Sequence, residues 1–256
     1  MTRPAVDLSG TAQFDPPEAL RGIGIVAPFD LALDAEYWQW AGPGVSVFTT
    51  RTPYLDAPVS VEMAEAVSSI ADVTAGARAV AVARPAAVVY ACTSGSFVGG
   101  MAGERALREA LGAAAGVPGV TTSGALLDAL RALGIGTVAI GTPYTADVTD
   151  RLVSFLGEAG HGVAGCAYLG LSADIAWVDA ATVRRLVAAA DSPKADAVFL
   201  SCTNLRTFGV LADLERELGK PVLSANQVSM WAGLRAGGLP AAPVDQWLFR
   251  ASAGVR

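Results

Sequence analysis

The sequence predicts an α/β protein with two similar lobes, each a parallel sheet flanked by helices. We expect a pseudo-twofold axis to relate the lobes and a site to lie between them. Three observations support this: apolar runs of strand length recur along the chain, helical patterns separate most of them, and one strand-end motif occurs twice. Strands that are apolar throughout and separated by helices are typical of parallel sheets covered on both faces.

Seven apolar runs have the length and residue types of strands. In chain order they cover residues 23–29, 45–50, 86–92, 137–142, 163–169, 197–202 and 221–225. Between them lie segments whose apolar residues recur at three- and four-residue spacing, as in amphipathic helices. These helical segments cover 61–82, 104–115, 124–133, 147–159, 182–190 and 210–218.

The two halves of the chain repeat one pattern. Pro28 and an aromatic residue follow the first strand, and Pro143 and an aromatic residue follow a strand of the second half. Later in each half a strand ends in Cys-Thr, at Cys92 and at Cys202. Because ligands of open parallel sheets bind beyond the carboxyl ends of strands, we expect these two ends to face each other across a cleft.

The repeat also predicts how the chain is divided. We predict an N-terminal extension at 1–21, a first lobe at 22–120, a second lobe at 121–235 and a C-terminal segment at 236–256. The C-terminal segment is expected to pack back on the first lobe.

Composition and charge argue against several classes of protein. Hydrophobic residues make up 52% of the chain and charged residues 16%, which is too apolar for a disordered protein. The net charge is −6 and no basic run interleaves with aromatic residues, so we expect no nucleic-acid partner. The longest uncharged stretch, 85–103, is broken by hydroxyl residues and glycines, so we expect no membrane span. No apolar signal segment is visible at the N-terminus, and we expect a cytoplasmic protein.

The chain has few residues that suit a metal ion or a nucleotide. It has one histidine, His161, which we expect to be a plain surface residue, and no CxxC pair. The glycines at 99–103 lack the Lys-Ser/Thr of a phosphate loop. We therefore predict no metal and no cofactor. Cys166 lies within a predicted strand, and we expect it to pack in the core.

Cys92 and Cys202 are the strongest candidates for chemistry. At the end of a strand, backbone N–H groups and a following helix favour anions, so we expect both thiols to ionise easily. Thr93, Ser94 and Asn204 in the turns that follow supply hydrogen-bond donors suited to a carboxylate. One thiolate can act as base or nucleophile while the opposite thiol returns a proton to carbon. The pattern indicates a site for a small carboxylic acid.

These turns resemble the aspartate/glutamate racemase superfamily. The motifs that carry the resemblance are Cys92-Thr93-Ser94-Gly95, Ser201-Cys202-Thr203-Asn204, Thr142-Pro143-Tyr144 and Ala225-Asn226-Gln227. Within the superfamily the chain is most similar to the branch of maleate cis-trans isomerases, arylmalonate decarboxylases and EutA-type ectoine-utilisation proteins. The similarity covers the chain from about residue 22 onward.

The resemblance implies cofactor-independent chemistry on a small carboxylic acid that lies between the two cysteines. In the isomerases of this family a cysteine adds to the double bond of maleate, which implies that Cys92 is the nucleophile and Cys202 the acid–base partner. The resemblance also leaves room for a homo-oligomer. The residues expected to bind the substrate are Pro28, Asp30, Thr93, Ser94, Thr142, Tyr144, Thr203 and Asn204.

Departures from the family motifs narrow the expected reaction. Asn204 stands where glutamate racemases carry histidine, which disfavours amino-acid racemisation. Phe29 and Asp30 stand in the region where maleate isomerases carry a carboxylate-binding asparagine, which disfavours maleate itself as the substrate. Cys92 stands where arylmalonate decarboxylases carry glycine, which favours an isomerase or racemase. The alternatives are an arylmalonate-type decarboxylase and a non-catalytic carboxylate-binding protein.

Overall fold

Two four-stranded parallel sheets form the centre of the computed structural model, which describes residues 5–11 and 21–253. The strands are β1 (Gly22–Ala27), β2 (Ser46–Arg51), β3 (Ala87–Tyr90), β4 (Gly119–Thr121), β5 (Thr137–Thr142), β6 (Gly162–Tyr168), β7 (Ala197–Leu200) and β8 (Val222–Ser224). Their order is β2-β1-β3-β4 in the first sheet and β6-β5-β7-β8 in the second, with parallel pairing throughout. The predicted α/β fold of two similar lobes is confirmed.

Helices cover the sheets. Within the described residues they are α1 (Asp34–Tyr37), α2 (Val61–Val67), α3 (Ile70–Ala81), α4 (Thr93–Phe97), α5 (Gly100–Ala115), α6 (Thr122–Ala132), α7 (Ala146–Glu158), α8 (Ala180–Ala190), α9 (Phe208–Leu218), α10 (Ala225–Ala236) and α11 (Trp247–Ala253). A 3-10 helix covers Ile175–Trp177. The second sheet, one face of the first sheet and the helices α6 to α10 share one apolar core. The other face of the first sheet packs with α2, α3 and α5 in a second apolar cluster.

The structure contains elements that the sequence pattern does not predict, β4 and α10 among them, and it divides one predicted helix. β4 has three residues, too few to show a period. Its Gly119 is required by close packing, because a Cβ there would lie 2.5 Å from the carbonyl oxygen of Arg108. α10 is buried almost along its whole length, so it has no polar face to reveal a helical period. The helix predicted over 61–82 is interrupted because Ser69 caps the start of α3, accepting a bond from the N–H of Asp72.

α10 connects the second half of the chain to the first sheet. It follows β8 but packs on β3, β4 and α6. A Cβ on Gly233 of this helix would lie 2.7 Å from a methyl group of Val89 in β3, so glycine allows the helix to approach the sheet closely. The lobe limits at 22–120 and 121–235 stay predictions.

The described part of the C-terminal segment contacts both halves of the chain. The N–H of Gly42 donates to the carbonyl of Pro240 at 3.2 Å, which joins the segment to the first half. The N–H of Trp247 donates to the carboxylate of Glu215 in α9 at 2.8 Å, which joins it to the second half. Residues 1–4, 12–20 and 254–256 of the predicted terminal segments lie outside the described residues.

The predicted packing of Cys166 in the core is wrong. Cys166 lies in β6, an edge strand of the second sheet, and its side chain is exposed. The apolar run around it resembles that of a buried strand, and only the strand order places it at the edge. His161 lies between α7 and β6 and is partly exposed.

No helix among the described residues is long and apolar enough to cross a membrane. The uncharged stretch 85–103 instead contains β3, α4 and the beginning of α5.

Candidate active site

A small cavity lies at the carboxyl ends of the strands of both sheets. Val26 of β1 pairs with Tyr90 of β3, and Gly141 of β5 pairs with Leu200 of β7, so the turns after these strands meet. The cavity measures about 20 Å³, room for about one water molecule. Its lining residues are Pro28, Asp30, Val59, Met63, Cys92, Thr93, Ser94, Tyr144, Ile175, Cys202, Thr203 and Asn204.

Thr142 is the one residue predicted for the site that does not line this cavity. Its side chain is fully buried, and its hydroxyl lies 2.6 Å from the hydroxyl of Thr149 in α7. A hydroxyl held in that way joins β5 to α7 instead of facing a ligand. Its position at a strand end is therefore correct, but the direction of its side chain is not the predicted one.

Cys92 comes two residues after β3 and is the residue that precedes α4. Its backbone is extended, with φ −139°, and its side chain is 5% exposed. Burial raises the pKa of its thiol, although bonds from the backbone N–H of Gly95 and the hydroxyl of Tyr90 act to lower it. Gly95 leaves the room for this arrangement, since a Cβ there would lie 2.4 Å from the Tyr90 hydroxyl and 3.1 Å from the Cys92 sulfur.

Cys202 comes two residues after β7 and has a strained backbone. Its φ is +89°, a conformation that residues other than glycine rarely adopt. The N–H of Asn204 donates to the Cys202 sulfur at 3.4 Å. Burial raises the pKa of the thiol to about 12, even though this N–H and the Tyr144 hydroxyl act to lower it.

The prediction that both thiols ionise easily is wrong, because the pKa of each thiol is raised. Burial of the thiols outweighs the backbone donors near them, because a thiolate loses its hydration when it is enclosed. The helix after Cys92 has only five residues, and no helix begins after Cys202 until Phe208. The helix-end effect on which the prediction depends is therefore small at one site and remote at the other.

Hydroxyl groups supply the hydrogen-bond donors in the cavity wall. The hydroxyl of Thr93 is buried and finds no hydrogen-bond partner among the described residues. Ser94 follows it, and its hydroxyl lies 3.9 Å from the Cys92 sulfur. Across the cavity the Tyr144 hydroxyl accepts a long bond from Ser201 at 3.4 Å. A buried hydroxyl without a partner is costly, so a carboxylate or water at this place would satisfy the Thr93 donor.

Asn204 joins the two halves of the chain. Its side-chain amide donates to the backbone carbonyl of Asp30 at 3.0 Å, and its amide oxygen accepts from the N–H of Ala32 at 2.8 Å. Both ends of the amide therefore contact the loop after β1. The amide is predicted to bind substrate, and in this structure it also holds the loop and the Cys202 turn together.

Asp30 lines the cavity, although the residue remains exposed. Partial burial raises the pKa of its carboxyl group, while hydrogen bonds from its own backbone and from Asn204 and the positive charge of Arg51 act to lower it. Arg51 also donates to the backbone carbonyls of Phe29 and Leu31 on either side of Asp30. Pro28 completes this loop, and its carbonyl accepts from the N–H of Leu31 at 3.2 Å.

Three apolar residues in the wall have no counterpart in the sequence prediction: Val59, Met63 and Ile175. Val59 precedes α2, and its N–H donates to the carbonyl of Ser172 at 2.8 Å, which closes the cavity between two loops. Ile175 opens the 3-10 helix and is 4% exposed. Met63 lies in α2. Apolar residues at these positions resemble ordinary core residues, so no sequence pattern identifies them as part of a site.

Within the described ranges, no three His, Cys, Asp or Glu side chains are grouped closely enough to hold a metal ion. The absence of a metal and of a cofactor stays a prediction.

Known proteins with this fold include decarboxylases. The sequence profile of the arylmalonate decarboxylase family matches residues 59–247. The arylmalonate decarboxylase of Bordetella bronchiseptica is 40% identical over 163 residues, which are 61% of this chain and 68% of that protein. A crystal structure of an arylmalonate decarboxylase variant, with one glycine changed to cysteine and one cysteine to serine, has a TM-score of 0.80 and 33% identity. The match covers 89% of this chain and 98% of that one.

An isomerase also has this fold. A structure of the maleate cis-trans isomerase of Nocardia farcinica, with one cysteine changed to serine, contains a covalently bound succinylcysteine intermediate. It has a TM-score of 0.78 and 25% identity, and the match covers 90% of this chain and 98% of that one. The predicted resemblance is thus confirmed, and these relatives are enzymes of two kinds. Because the profile matches well over half of its residues, the chain belongs to the arylmalonate decarboxylase family, in the branch that also contains the maleate isomerases.

Proposed function

We propose that this protein is an isomerase or racemase that acts on a small carboxylic acid, without a cofactor, through Cys92 and Cys202. The observation that carries the proposal is that the two thiols follow strands of different sheets and line one cavity. A reaction that moves a proton between the two faces of a carbon atom needs one group on each side. The acid is the partner we propose. A cytoplasmic location and the absence of nucleic-acid and membrane partners belong to the same proposal.

In racemisation, one sulfur removes the proton from the carbon next to the carboxylate, and the other thiol gives a proton to the opposite face. One C–H bond breaks and another forms, so the two sulfurs exchange roles and nothing is oxidised or reduced. In the transition state, charge moves from the carbon to the carboxylate oxygens. The hydroxyls of Thr93, Ser94 and Tyr144 line the cavity and would donate to those oxygens once its walls, which enclose room for about one water molecule, move apart to admit the acid.

In double-bond isomerisation, the Cys92 thiolate adds to one alkene carbon as the C=C π bond breaks, and the other alkene carbon takes a proton from Cys202. The adduct rotates about the resulting single bond. Cys202 then takes a proton back as elimination restores the alkene and releases the Cys92 thiolate, again without a net change in oxidation state. The succinylcysteine adduct of the Nocardia relative supports this route for a cysteine in this fold.

The cavity wall favours an acid with one carboxylate over a diacid such as maleate. The carboxyl group of Asp30 lies in the wall and, when ionised, repels a second carboxylate of the substrate. Val59, Met63 and Ile175 offer an apolar surface for a substituent instead. Racemisation of a 2-substituted carboxylic acid is therefore the reaction we place first.

Decarboxylation of an arylmalonate-type acid is the second candidate. It is favoured by the 40% identity to the Bordetella decarboxylase and by the same apolar wall, whereas Asp30 opposes the second carboxylate of a malonate as it opposes that of maleate. This reaction needs one proton donor for the carbanion left by carbon dioxide, so a single cysteine is enough. Cys92 has no necessary part in it.

A non-catalytic carboxylate-binding protein is the third candidate. Slow alkylation of the free thiols does not identify a binding protein here, because burial raises the pKa of both thiols in either case. Turnover is the property that separates a binding protein from an enzyme.

The test is to incubate the protein in heavy water with single enantiomers of 2-substituted carboxylic acids, with maleate and with arylmalonates. Chiral chromatography follows enantiomer ratio, proton NMR follows deuterium at carbon and alkene geometry, and gas analysis follows carbon dioxide. We expect loss of enantiomeric purity together with deuterium uptake. Carbon dioxide release from the arylmalonates, with deuterium only in their decarboxylated product and no racemisation, isomerisation or deuterium uptake in the other acids, would favour the decarboxylase. Binding without any reaction would favour the binding protein.

A further inference from the structure

Glu36 is a buried carboxylate outside the cavity that joins the two halves of the chain. It lies in α1, after β1 of the first sheet, and is 8% exposed. Its partners all belong to the second half. The backbone N–H groups of Thr207 and Phe208 donate to one carboxylate oxygen at 2.7 and 2.6 Å. The side-chain amide of Asn226 donates to the other oxygen at 2.6 Å.

Two of these donors are at the beginning of α9. The structure shows no side-chain cap from Thr207 itself at this described helix end, so its free N–H groups depend on Glu36. A carboxylate at a helix N-terminus also interacts favourably with the helix dipole. Burial acts to raise the pKa of Glu36, and the surrounding donors act to lower it.

The third donor, the side-chain amide of Asn226, also contacts the turn that carries Cys202. The amide nitrogen of Asn226 that donates to Glu36 also donates to the backbone carbonyl of Thr203 at 2.9 Å. Rotating this amide by half a turn would place its oxygen against the Glu36 carboxylate, so Glu36 determines its orientation. Thr203 follows Cys202, whose φ of +89° is strained. Such a conformation persists only where the surroundings hold it.

We propose that Glu36 is a positioning residue for Cys202: through Asn226 and the carbonyl of Thr203, it holds the Cys202 turn in its strained conformation. This rests on the proposed function, because it assigns proton transfer to Cys202. Glu36 touches neither substrate nor sulfur. Its effect reaches Cys202 through two hydrogen bonds, of which the bond from Asn226 to Glu36 crosses between the halves and the bond from Asn226 to Thr203 lies within the second half.

The test compares Glu36→Gln with Glu215→Gln. Glutamine has an N–H group where the carboxylate had an oxygen, so it opposes the N–H of Asn226. Glu215 is the matched control: it is 2% exposed and accepts from the N–H groups of Val222 and Trp247, which lie outside the turn. The measurement is the rate at which iodoacetamide alkylates Cys202 and Cys92, read separately by peptide mass spectrometry.

We expect Glu36→Gln to raise the alkylation rate of Cys202 about tenfold, because a relaxed turn exposes the thiol and a one-unit fall in its pKa gives about ten times more thiolate. Cys92 should change less than about twofold. In Glu215→Gln the alkylation rates of Cys202 and Cys92 should both change less than about twofold. Turnover should fall about tenfold or more in Glu36→Gln through kcat, since a displaced proton donor affects the chemical step. Equal changes at both cysteines, or no change at Cys202, would overturn the proposal.

Asn226→Ala tests the link without removing the buried charge. It should reproduce the Cys202-specific change, and the double variant with Glu36→Gln should show no further increase, because both changes break one chain of bonds. If the alkylation rate of Cys202 in the double variant rose by the product of the two single-variant effects, the proposal would be contradicted. Failure of both single variants to fold would contradict it as well. Alkylation needs no substrate, so a protein that turns over no acid can still show the Cys202-specific change. Failure of the proposed function is thereby distinguished from failure of this inference.

Discussion

The turn that carries Cys92 and the turn that carries Cys202 share a sequence pattern and a place in their sheets, but they are held differently. Cys92 has an extended backbone and leads directly into α4. The carbonyl of Thr93, the next residue, accepts from Ser96 of α4 and Ser123 of α6. Cys202 has φ +89° and no helix directly after it.

Contacts from the other half of the chain hold the Cys202 turn. Asn204 bonds to the loop that contains Asp30, and Thr203 is held through Asn226 and Glu36. The Cys92 turn therefore depends on its neighbours in sequence and on α6, whereas the Cys202 turn depends on the contact between the halves. The same motif is thus held by two different sets of contacts.

The largest expected effect comes from removing either thiol. Cys92→Ser and Cys202→Ser should each lower the rate of racemisation or isomerisation more than about a hundredfold, because a hydroxyl hardly ionises and transfers protons poorly. Cys166→Ser, on the exposed edge strand, should retain the parental rate. Rates are measured by chiral chromatography and circular dichroism verifies folding. A normal rate in Cys92→Ser with loss only in Cys202→Ser would make the two turns unequal in function and support the decarboxylase.

The next effect tests the packing of the Cys92 turn. Gly95→Ala places a methyl group 2.4 Å from the Tyr90 hydroxyl, so we expect a loss of about 1–3 kcal/mol in the free energy of unfolding and a slower reaction. Gly103→Ala is the control, since a Cβ at Gly103 meets nothing within 4 Å. That variant should gain up to about 1 kcal/mol through helix propensity. Urea unfolding measures both. Equal stability in the two variants would contradict the close packing of this turn.

A smaller effect concerns pH. Burial raises the Cys202 pKa to about 12, above its value in the unfolded chain, so the folded protein binds this proton more tightly. The resulting stability is fully present below the unfolded pKa and is lost as pH rises toward 12. The melting temperature of the parental protein should therefore fall more steeply above about pH 9 than that of Cys202→Ser. Parallel curves for the two proteins would show that the thiol is not enclosed as described.

The smallest effect compares backbone strain at the two cysteines. At Cys202, with φ +89°, glycine should give a more stable protein than alanine by about 1–2 kcal/mol. At Cys92, with φ −139°, alanine should be the more stable by about 0.5–1 kcal/mol, since glycine loses more entropy on folding. Chemical denaturation of the four variants measures both differences. If the difference in stability between the glycine and alanine variants had the same sign at both positions, the two turns would have similar backbone conformations.

Much of the fold follows from patterns within single segments. Apolar runs such as 86–92 and 197–202 identify β3 and β7, and helical spacing identifies most of the covering helices. The spacing of apolar residues does not identify an element that is too short, such as β4, or one that is buried on all sides, such as α10. The spacing of apolar residues also does not reveal that the chain leaves the helix at Ser68 and Ser69, between α2 and α3. The cap at Ser69 acts through one hydrogen bond, which does not depend on apolar residues.

The sequence predicts part of the cavity as well, again from patterns within single segments. Residues that follow parallel strands meet at one sheet edge, so the turns at Cys92 and Cys202 can be identified without coordinates. The direction of a side chain depends on what packs around it, and Thr142 consequently bonds to Thr149 instead of facing the cavity. Val59 and Ile175 come from loops whose path only the packed chain determines.

By itself, the sequence determined the α/β class, the repeated halves, the paired cysteine turns and the family resemblance, because these depend on residue types at short spacings. The tertiary structure alone decided the exposure of Cys166, the strained backbone of Cys202, the burial that raises the pKa of both thiols and the contact of Glu36 with the second half. Each of these depends on desolvation or on hydrogen bonds between residues far apart in the chain. No local pattern records such contacts, since they exist only after the two halves pack together.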